Sequence, residues 1–163
     1  VYRLAIITVS TSGYTGDRID TGSQAISEVL AEPDYKTVEY CVVDDDKAMI
    51  SDQMAVWADR SDIDILVSTG GTGLGPRDVT PEACLSIIDK EVPGLAESMR
   101  SETLKFTPMA MLSRSVAGIR GSTLILTLPG SPKAVKQTLE VVKPVLPHAL
   151  ELLKAAKLED HPN

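Results

Sequence analysis

The sequence is short of the residues that most often carry catalysis by side chain alone. It has 2 histidines, 2 cysteines and 1 tryptophan in 163 residues. Aromatic residues make up 4% of the chain against 43% hydrophobic residues, so its core is expected to be aliphatic. No apolar run approaches the roughly 20 residues of a membrane-spanning helix, and no membrane partner is expected. Positive charge is also scarce. The formal net charge of −7 argues against a nucleic-acid duplex, which calls for a basic face. It leaves room for a small phosphorylated ligand, which backbone N–H groups and a few local cations can hold. Cys41 and Cys84 lack metal-ligand spacing and are expected as buried free thiols in a reducing cytoplasm. His148 falls in a C-terminal helix and His161 in a polar tail, so acyl transfer through Ser–His or Cys–His is not expected. The start, VYRLAIITVS, has no cleavable signal pattern and reads as a first core strand. Its missing Met suggests trimming or excision from a longer chain.

What is present is an alternation of short apolar runs and helical spacings. Residues 4–9 are continuously apolar, as in a strand buried on both faces. A long polar loop follows. Ala25, Ile26, Val29 and Leu30 then recur at helical spacing, closed by Pro33 and Asp34. Residues 37–43 are β-branched and strand-like. Ile50, Met54 and Trp57 mark a second helix, and residues 63–67 another short strand. Helices are expected over 81–90 and 95–104, 107–115 is ambiguous, and 123–128 is a strand. Val135, Leu139, Val142, Leu146, Leu150 and Leu153 share one face of a C-terminal helix that Pro144 and Pro147 should kink or divide; the tail after Leu158 should fray. This alternation predicts one domain over residues 1–163, an α/β fold in which helices sandwich a mostly parallel sheet in three α/β/α layers.

Three expected strands run straight into Gly/Ser/Thr loops: Ser10-Thr11-Ser12-Gly13, Thr69-Gly70-Gly71-Thr72-Gly73 and Pro129-Gly130-Ser131. In open α/β sheets such loops gather along one edge, where ligands bind. Thr80-Pro81-Glu82 and Ser131-Pro132-Lys133 each put a hydroxyl at an N-cap position and Pro at the first helical position. Each therefore offers free N–H groups to an anion, although either alone is explained as a well-made helix start. The glycine-rich loop is harder to explain that way, with three Gly in four residues beside Arg77 and Asp78. It is neither a dinucleotide fingerprint nor a P-loop. Asp44, Asp45 and Asp46 end the second strand and Asp78 follows the third, so neighbouring strand ends can bring two carboxylates together. Two carboxylates with nucleotide phosphates are a usual Mg²⁺ site; the alternative is that some of the three merely stabilise the next helix. Nucleotidyl transfer to an ionised phosphate needs positioning and charge neutralisation rather than a base. Arg77, Arg114, Arg120 and Lys133 are the candidate cations, each also explicable as a surface charge.

Four segments in order carry a family resemblance: ITVSTSGYTGDRIDTGS, VVDDD, STGGTGLGPRDVTPEA and MLSRSVAGIRGSTLILTLPGSPKAV. Through them essentially the whole chain resembles the molybdopterin adenylyltransferases, the MogA-type proteins and gephyrin-like G domains. The resemblance implies transfer of AMP from Mg-ATP to the terminal phosphate of molybdopterin, with release of pyrophosphate. It implies Asp45 and Asp78 as the acidic pair for Mg²⁺ and ATP, and Gly70, Gly71, Thr72, Gly73 and Thr80 along the nucleotide phosphates. Thr11, Ser12, Ser113, Arg114, Pro129, Gly130, Ser131 and Lys133 match positions around the pocket, without a division between pterin and nucleotide. A homotrimer and hand-over to a molybdate-inserting enzyme are implied as well. MoaB-type relatives share GGTG and LPGS, yet some lack the Arg77-Asp78-Val79-Thr80 pattern. Asp44 departs from relatives that often carry Pro there, which leaves open which carboxylate meets the metal. The alternatives are a non-catalytic molybdopterin carrier or scaffold, and a general nucleotide or sugar-phosphate enzyme.

Overall fold

The computed structural model describes residues 1–17 and 19–160. Arg18 and His161 therefore lie outside the described residues. Six strands form one sheet in the order β2-β1-β3-β6-β5-β4. Strand β1 (Tyr2–Val9) lies parallel between β2 (Tyr35–Val43) and β3 (Ile65–Thr69), and β3 pairs parallel with β6 (Thr123–Leu128). β5 (Ala117–Arg120) runs antiparallel on β6, and β4 (Lys90–Glu91) antiparallel on β5.

Alternate residues of the central strands feed two cores, because successive side chains point to opposite faces. Leu4, Ile6, Ile65, Val67, Leu124 and Leu126 face one cluster, covered by α2 (Gly22–Val29), α5 (Pro93–Thr103), α6 (Pro132–Val142) and α7 (Leu146–Asp160). Ala5, Ile7, Val9, Leu66 and Ile125 face the other, covered by Ile50, Met54 and Trp57 of α3 (Lys47–Ala58) and by Ala83 and Cys84 of α4 (Thr80–Ile87). The three layers and the mostly parallel sheet are those expected. Every large buried side chain of β1, β3 and β6 is aliphatic, as the scarcity of aromatics requires. No described helix is long and apolar enough to cross a membrane.

The differences from expectation have local causes. The polar loop after β1 begins with a short helix, α1 (Thr11–Tyr14), capped by Ser10, whose Oγ accepts from the Gly13 N–H at 3.1 Å. The helix expected over 81–90 stops at Ile87, because Asp89 turns to donate its N–H to the Ile119 carbonyl at 2.7 Å. The chain thereby enters β4. Strands β4 and β5 were not expected. Two residues show no periodicity, and Gly118 reads as a breaker; in fact a Cβ there would lie 2.6 Å from Ile88 Cδ1, so the strand needs glycine to pack. The ambiguous stretch 107–115 holds a 3₁₀ turn, Pro108–Leu112. The C-terminal helix is divided into α6 and α7 by a second 3₁₀ turn, Lys143–Val145, at Pro144. Helix α7 continues to Asp160 where fraying was expected; Lys157 in its last turn donates to the Ser61 carbonyl at 3.3 Å.

Candidate active site

Strand order reverses between β1 and β3, and the crevice outside the carboxyl ends of such strands is where open α/β sheets bind ligands. The register sets Thr8 beside Thr69 and Thr69 beside Leu128, so the loops after β1, β3 and β6 emerge side by side. At their centre Gly70 and Gly71 have φ of +99° and +71°. A Cβ on Gly70 would run into the Val9 carbonyl, and one on Gly71 into the Thr80 hydroxyl. Only glycine fits a backbone this strained and this crowded. The Gly70 N–H donates to the Leu128 carbonyl at 3.0 Å, tying the loop to the end of β6.

Thr80 differs from expectation. The N-cap of α4 is Val79, and Thr80 is the first helical residue, fully buried. Its hydroxyl donates to the Gly70 carbonyl at 2.9 Å and its N–H to the Gly71 carbonyl at 3.1 Å. It shapes the loop from beneath rather than capping the helix. Ser131 is the N-cap expected: its Oγ accepts from the Ala134 N–H at 3.2 Å, with Pro132 opening α6.

The three consecutive aspartates do three different things. Asp46 caps α3, accepting from the Met49 N–H at 2.8 Å. Asp45 Oδ2 accepts the Thr11 N–H at 2.9 Å and lies 2.9 Å from the Thr11 hydroxyl. Asp44 Oδ1 lies 2.6 Å from the same hydroxyl and accepts the Asp45 N–H at 2.8 Å. The Thr11 bond and the Asp45 N–H hold the Asp44 carboxyl below its ordinary range. Arg77 Nη2 stands 3.6 Å from Asp44, an exposed pair of small energetic value.

Asp45 and Asp78 line one cleft of about 550 Å³, together with Thr11, Ser12 and Gly71. They arrive by a route not foreseen. Their strands are not neighbours, since β1 lies between β2 and β3, and the cleft that both residues line lies over the end of β1, against Val9 and Ser10. Asp78 Oδ2 accepts the Gly75 N–H at 2.9 Å, and a Cβ on Gly73 or Gly75 would crowd that oxygen at 2.8 or 2.9 Å.

Gly71 and Asp78 also line a second cleft of about 570 Å³, so the two spaces meet at the glycine-rich loop. Thr72, Gly73, Ser113, Pro129, Gly130 and Ser131 bound the second cleft, and Met99, Met109 and Leu112 give it an apolar wall. That wall has no signature in the sequence, because it comes from α5 and the ambiguous 3₁₀ stretch. A third cleft, about 420 Å³, lies against Gly70, Gly130 and Ser131 and contains Asp20. Asp20 accepts from the Thr8 hydroxyl at 2.6 Å, from the Tyr40 hydroxyl and from the Ser23 N–H at 3.1 Å. Burial pushes its pKa up, but these bonds outweigh that and hold it below the ordinary value. The Asp20-Thr21-Gly22-Ser23 helix start was the available signal for it.

The candidate cations separate. Lys133 is exposed on the first turn of α6 and lines none of the three clefts. Arg120 is tied to Asp59 at 2.9 Å and to the Ile87 carbonyl at 2.7 Å. Arg114 donates to the carbonyls of Gly73 and Asp78 at 2.8 and 2.6 Å and pairs with Glu82. His148 is exposed on α7. Both cysteines are free thiols; Cys84 is buried as expected, but Cys41 only half-buried on the edge strand. Burial pushes the Cys41 thiol up to about 11 and the Cys84 thiol to about 12, so neither is a ready nucleophile at neutral pH.

Residues 5–148 match the family described as probable molybdopterin binding domain. The molybdopterin adenylyltransferase of Helicobacter pylori strain J99 is 38% identical over 152 residues, which cover 92% of this chain and 86% of that protein. The molybdenum cofactor synthesis protein cinnamon of Drosophila melanogaster is 39% identical over 149 residues, 91% of this chain. The chain spans only 25% of that longer protein. Among solved structures, the molybdopterin biosynthesis enzyme MoaB of Thermus thermophilus superposes with a TM-score of 0.90 at 53% identity, covering 95% of this chain and 98% of that one.

Proposed function

The chain belongs to this molybdopterin-binding family, and from that membership we propose that it is a molybdopterin adenylyltransferase of molybdenum cofactor biosynthesis. Its substrates are ATP and molybdopterin. A terminal phosphate oxygen of molybdopterin attacks the α-phosphorus of ATP. The bond from that phosphorus to the bridging oxygen breaks, and pyrophosphate leaves with the electron pair. The nucleophile is already ionised, so no side chain has to remove a proton. This agrees with a site that has hydroxyls, carboxylates and backbone N–H groups at its centre.

The observation that carries the reading is the meeting of two clefts at Gly71 and Asp78, one of which Asp45 also lines. A two-substrate transfer needs such a shared point, where reacting groups are brought together. The loops supply the positions. Gly70, Gly71, Thr72 and Gly73 let phosphates approach the backbone closely. Thr11 and Ser12 offer polar groups beside Asp45, and Ser113, Pro129, Gly130 and Ser131 line the adjoining cleft.

Mg²⁺ fits the donor set. Asp45 and Asp78 each commit one oxygen to internal hydrogen bonds, and no described residue donates to the other. Magnesium is commonly held by one or two carboxylates with waters and phosphate oxygens. Bound there, it supplies charge neutralisation for the triphosphate. We assign the protein to the cytoplasm, which two free thiols support. A homotrimer is the assembly that the resemblance implies; exposed Phe106, Met109, Met111 and Leu112 offer apolar surface for it. Hand-over of the adenylylated product to a molybdate-inserting enzyme follows from the same reading.

Replacing Asp78 by Asn tests the assignment, because the amide keeps an acceptor for the Gly75 N–H while removing the charge. Pyrophosphate release should fall by about 100-fold or more with the melting temperature nearly unchanged. Unchanged turnover would remove Asp78 from the chemistry.

A further inference from the structure

Arg114 has the residue type of an anion ligand, but its donors point into the protein. Nε donates to the Gly73 carbonyl at 2.8 Å, Nη2 to the Asp78 carbonyl at 2.6 Å, and Nη1 pairs with Glu82. Its own N–H donates to the Thr72 carbonyl at 2.9 Å. Arg100 of α5 secures the flanking main chain, donating to the Ser115 carbonyl at 2.7 Å and the Ser113 carbonyl at 3.4 Å. Arg114 lines none of the three clefts around the glycine-rich loop.

The segment it grips has little else to hold it. Leu74, Gly75, Pro76 and Arg77 are all exposed. The bonds from Gly75 N–H to Asp78 Oδ2 at 2.9 Å and from Asp78 N–H to the Gly75 carbonyl at 3.1 Å fix its shape. They do not fix its place. The exposed Arg77–Asp44 pair is a weak tether. The guanidinium edge, in contrast, reaches both ends of the segment at once.

We infer that Arg114 is a positioning residue: it clips the carbonyls of Gly73 and Asp78 together and so fixes the Asp78 carboxylate relative to Asp45, without touching substrate. The part that Asp78 plays rests on the adenylyl-transfer reading; the clip does not. Nε and Nη2 form one rigid planar fork, which a lysine ammonium, a single point charge on a flexible stem, does not reproduce. Glu82 balances the guanidinium charge, and Arg114 in turn holds the Glu82 carboxyl below its ordinary range. A misplacement of about 1 Å at a reacting centre costs on the order of 100-fold in rate, so a residue remote from the chemistry can still govern it.

The test compares Arg114→Lys and Arg114→Gln with the wild type in two assays. In substrate-free protein, amide hydrogen exchange at Gly75 and Asp78 should quicken by about tenfold or more in both variants, with α6 unchanged. In steady state with Mg-ATP and molybdopterin, kcat should fall on the order of 100-fold, while KM for each substrate stays within about threefold. A rise in KM for either substrate at unchanged kcat would make Arg114 a substrate ligand and overturn the inference. Unaltered exchange in both variants would overturn it as well. A wild-type protein that releases no pyrophosphate would sink the adenylyl-transfer reading, and the exchange result would still decide the clip.

Discussion

Thr11 donates its backbone N–H to Asp45 Oδ2 at 2.9 Å and sets its hydroxyl between that oxygen, at 2.9 Å, and Asp44 Oδ1, at 2.6 Å. The first loop thus holds the carboxylate at the end of β2. Hydrogen bonds to charged groups contribute about 1.5–3 kcal/mol. Thr11→Val keeps the shape and the N–H but loses the hydroxyl, which also lies 2.6 Å from Asp44. Its kcat for pyrophosphate release should drop roughly tenfold or more, with a melting temperature within a few degrees of wild type. Wild-type kinetics would show that Asp45 does not depend on this contact.

Gly71→Ala should be far more damaging. The substitution forces an L-residue into φ +71° and drives its Cβ into the Thr80 hydroxyl. Backbone strain of this kind costs about 1–3 kcal/mol, and the loop must shift to relieve it. Chemical denaturation should show that loss of stability, and pyrophosphate assays an activity loss of about 100-fold. A variant as stable and active as wild type would contradict the crowded loop described here.

Asp64 offers a pH test away from the site. It accepts from the Arg3 N–H at 2.7 Å and from the Arg3 guanidinium at 3.1 Å. Burial pushes its pKa up, but the Arg3 bonds outweigh this and hold it below the ordinary value. A depressed folded pKa stabilises the protein above the unfolded value, about 3.9, and the contribution fades as pH falls through the folded pKa. Asp64→Asn should therefore melt below wild type at pH 7, with the gap narrowing below about pH 4. A gap independent of pH would mean that the carboxylate charge contributes nothing.

The central sheet was legible because strands buried on both faces are largely apolar runs, and residues 4–9 and 123–128 are apolar apart from Thr8, Thr123 and Thr127. β4 was not, since its pairing is decided by partners distant in sequence, and β5, a hairpin partner of β6 across Gly121 and Ser122, is too short and too rich in glycine to show a strand pattern. Two bonds, from Asp89 N–H to Ile119 and from Val92 N–H to Ala117, create the β4 edge without any local signature. Among site residues, Gly70 and Gly71 were legible because positive φ selects glycine, and Ser131 because capping does. The separate fates of Asp44, Asp45 and Asp46 depend on where Thr11 lies, and no spacing along the chain reveals that. The same holds for Arg114, whose residue type suggests a phosphate ligand and whose partners are main-chain carbonyls. The apolar wall of Met99, Met109 and Leu112 joins two segments with no shared pattern.

The central claim is that this site joins AMP to molybdopterin. Its most direct measurement is pyrophosphate release by the wild-type protein given ATP and Mg²⁺, with and without molybdopterin, alongside detection of the adenylylated pterin. Release should require molybdopterin and match the adenylylated product one for one. Pterin binding without pyrophosphate would contradict the central claim and make the protein a carrier, and ATP turnover indifferent to the pterin would contradict it equally.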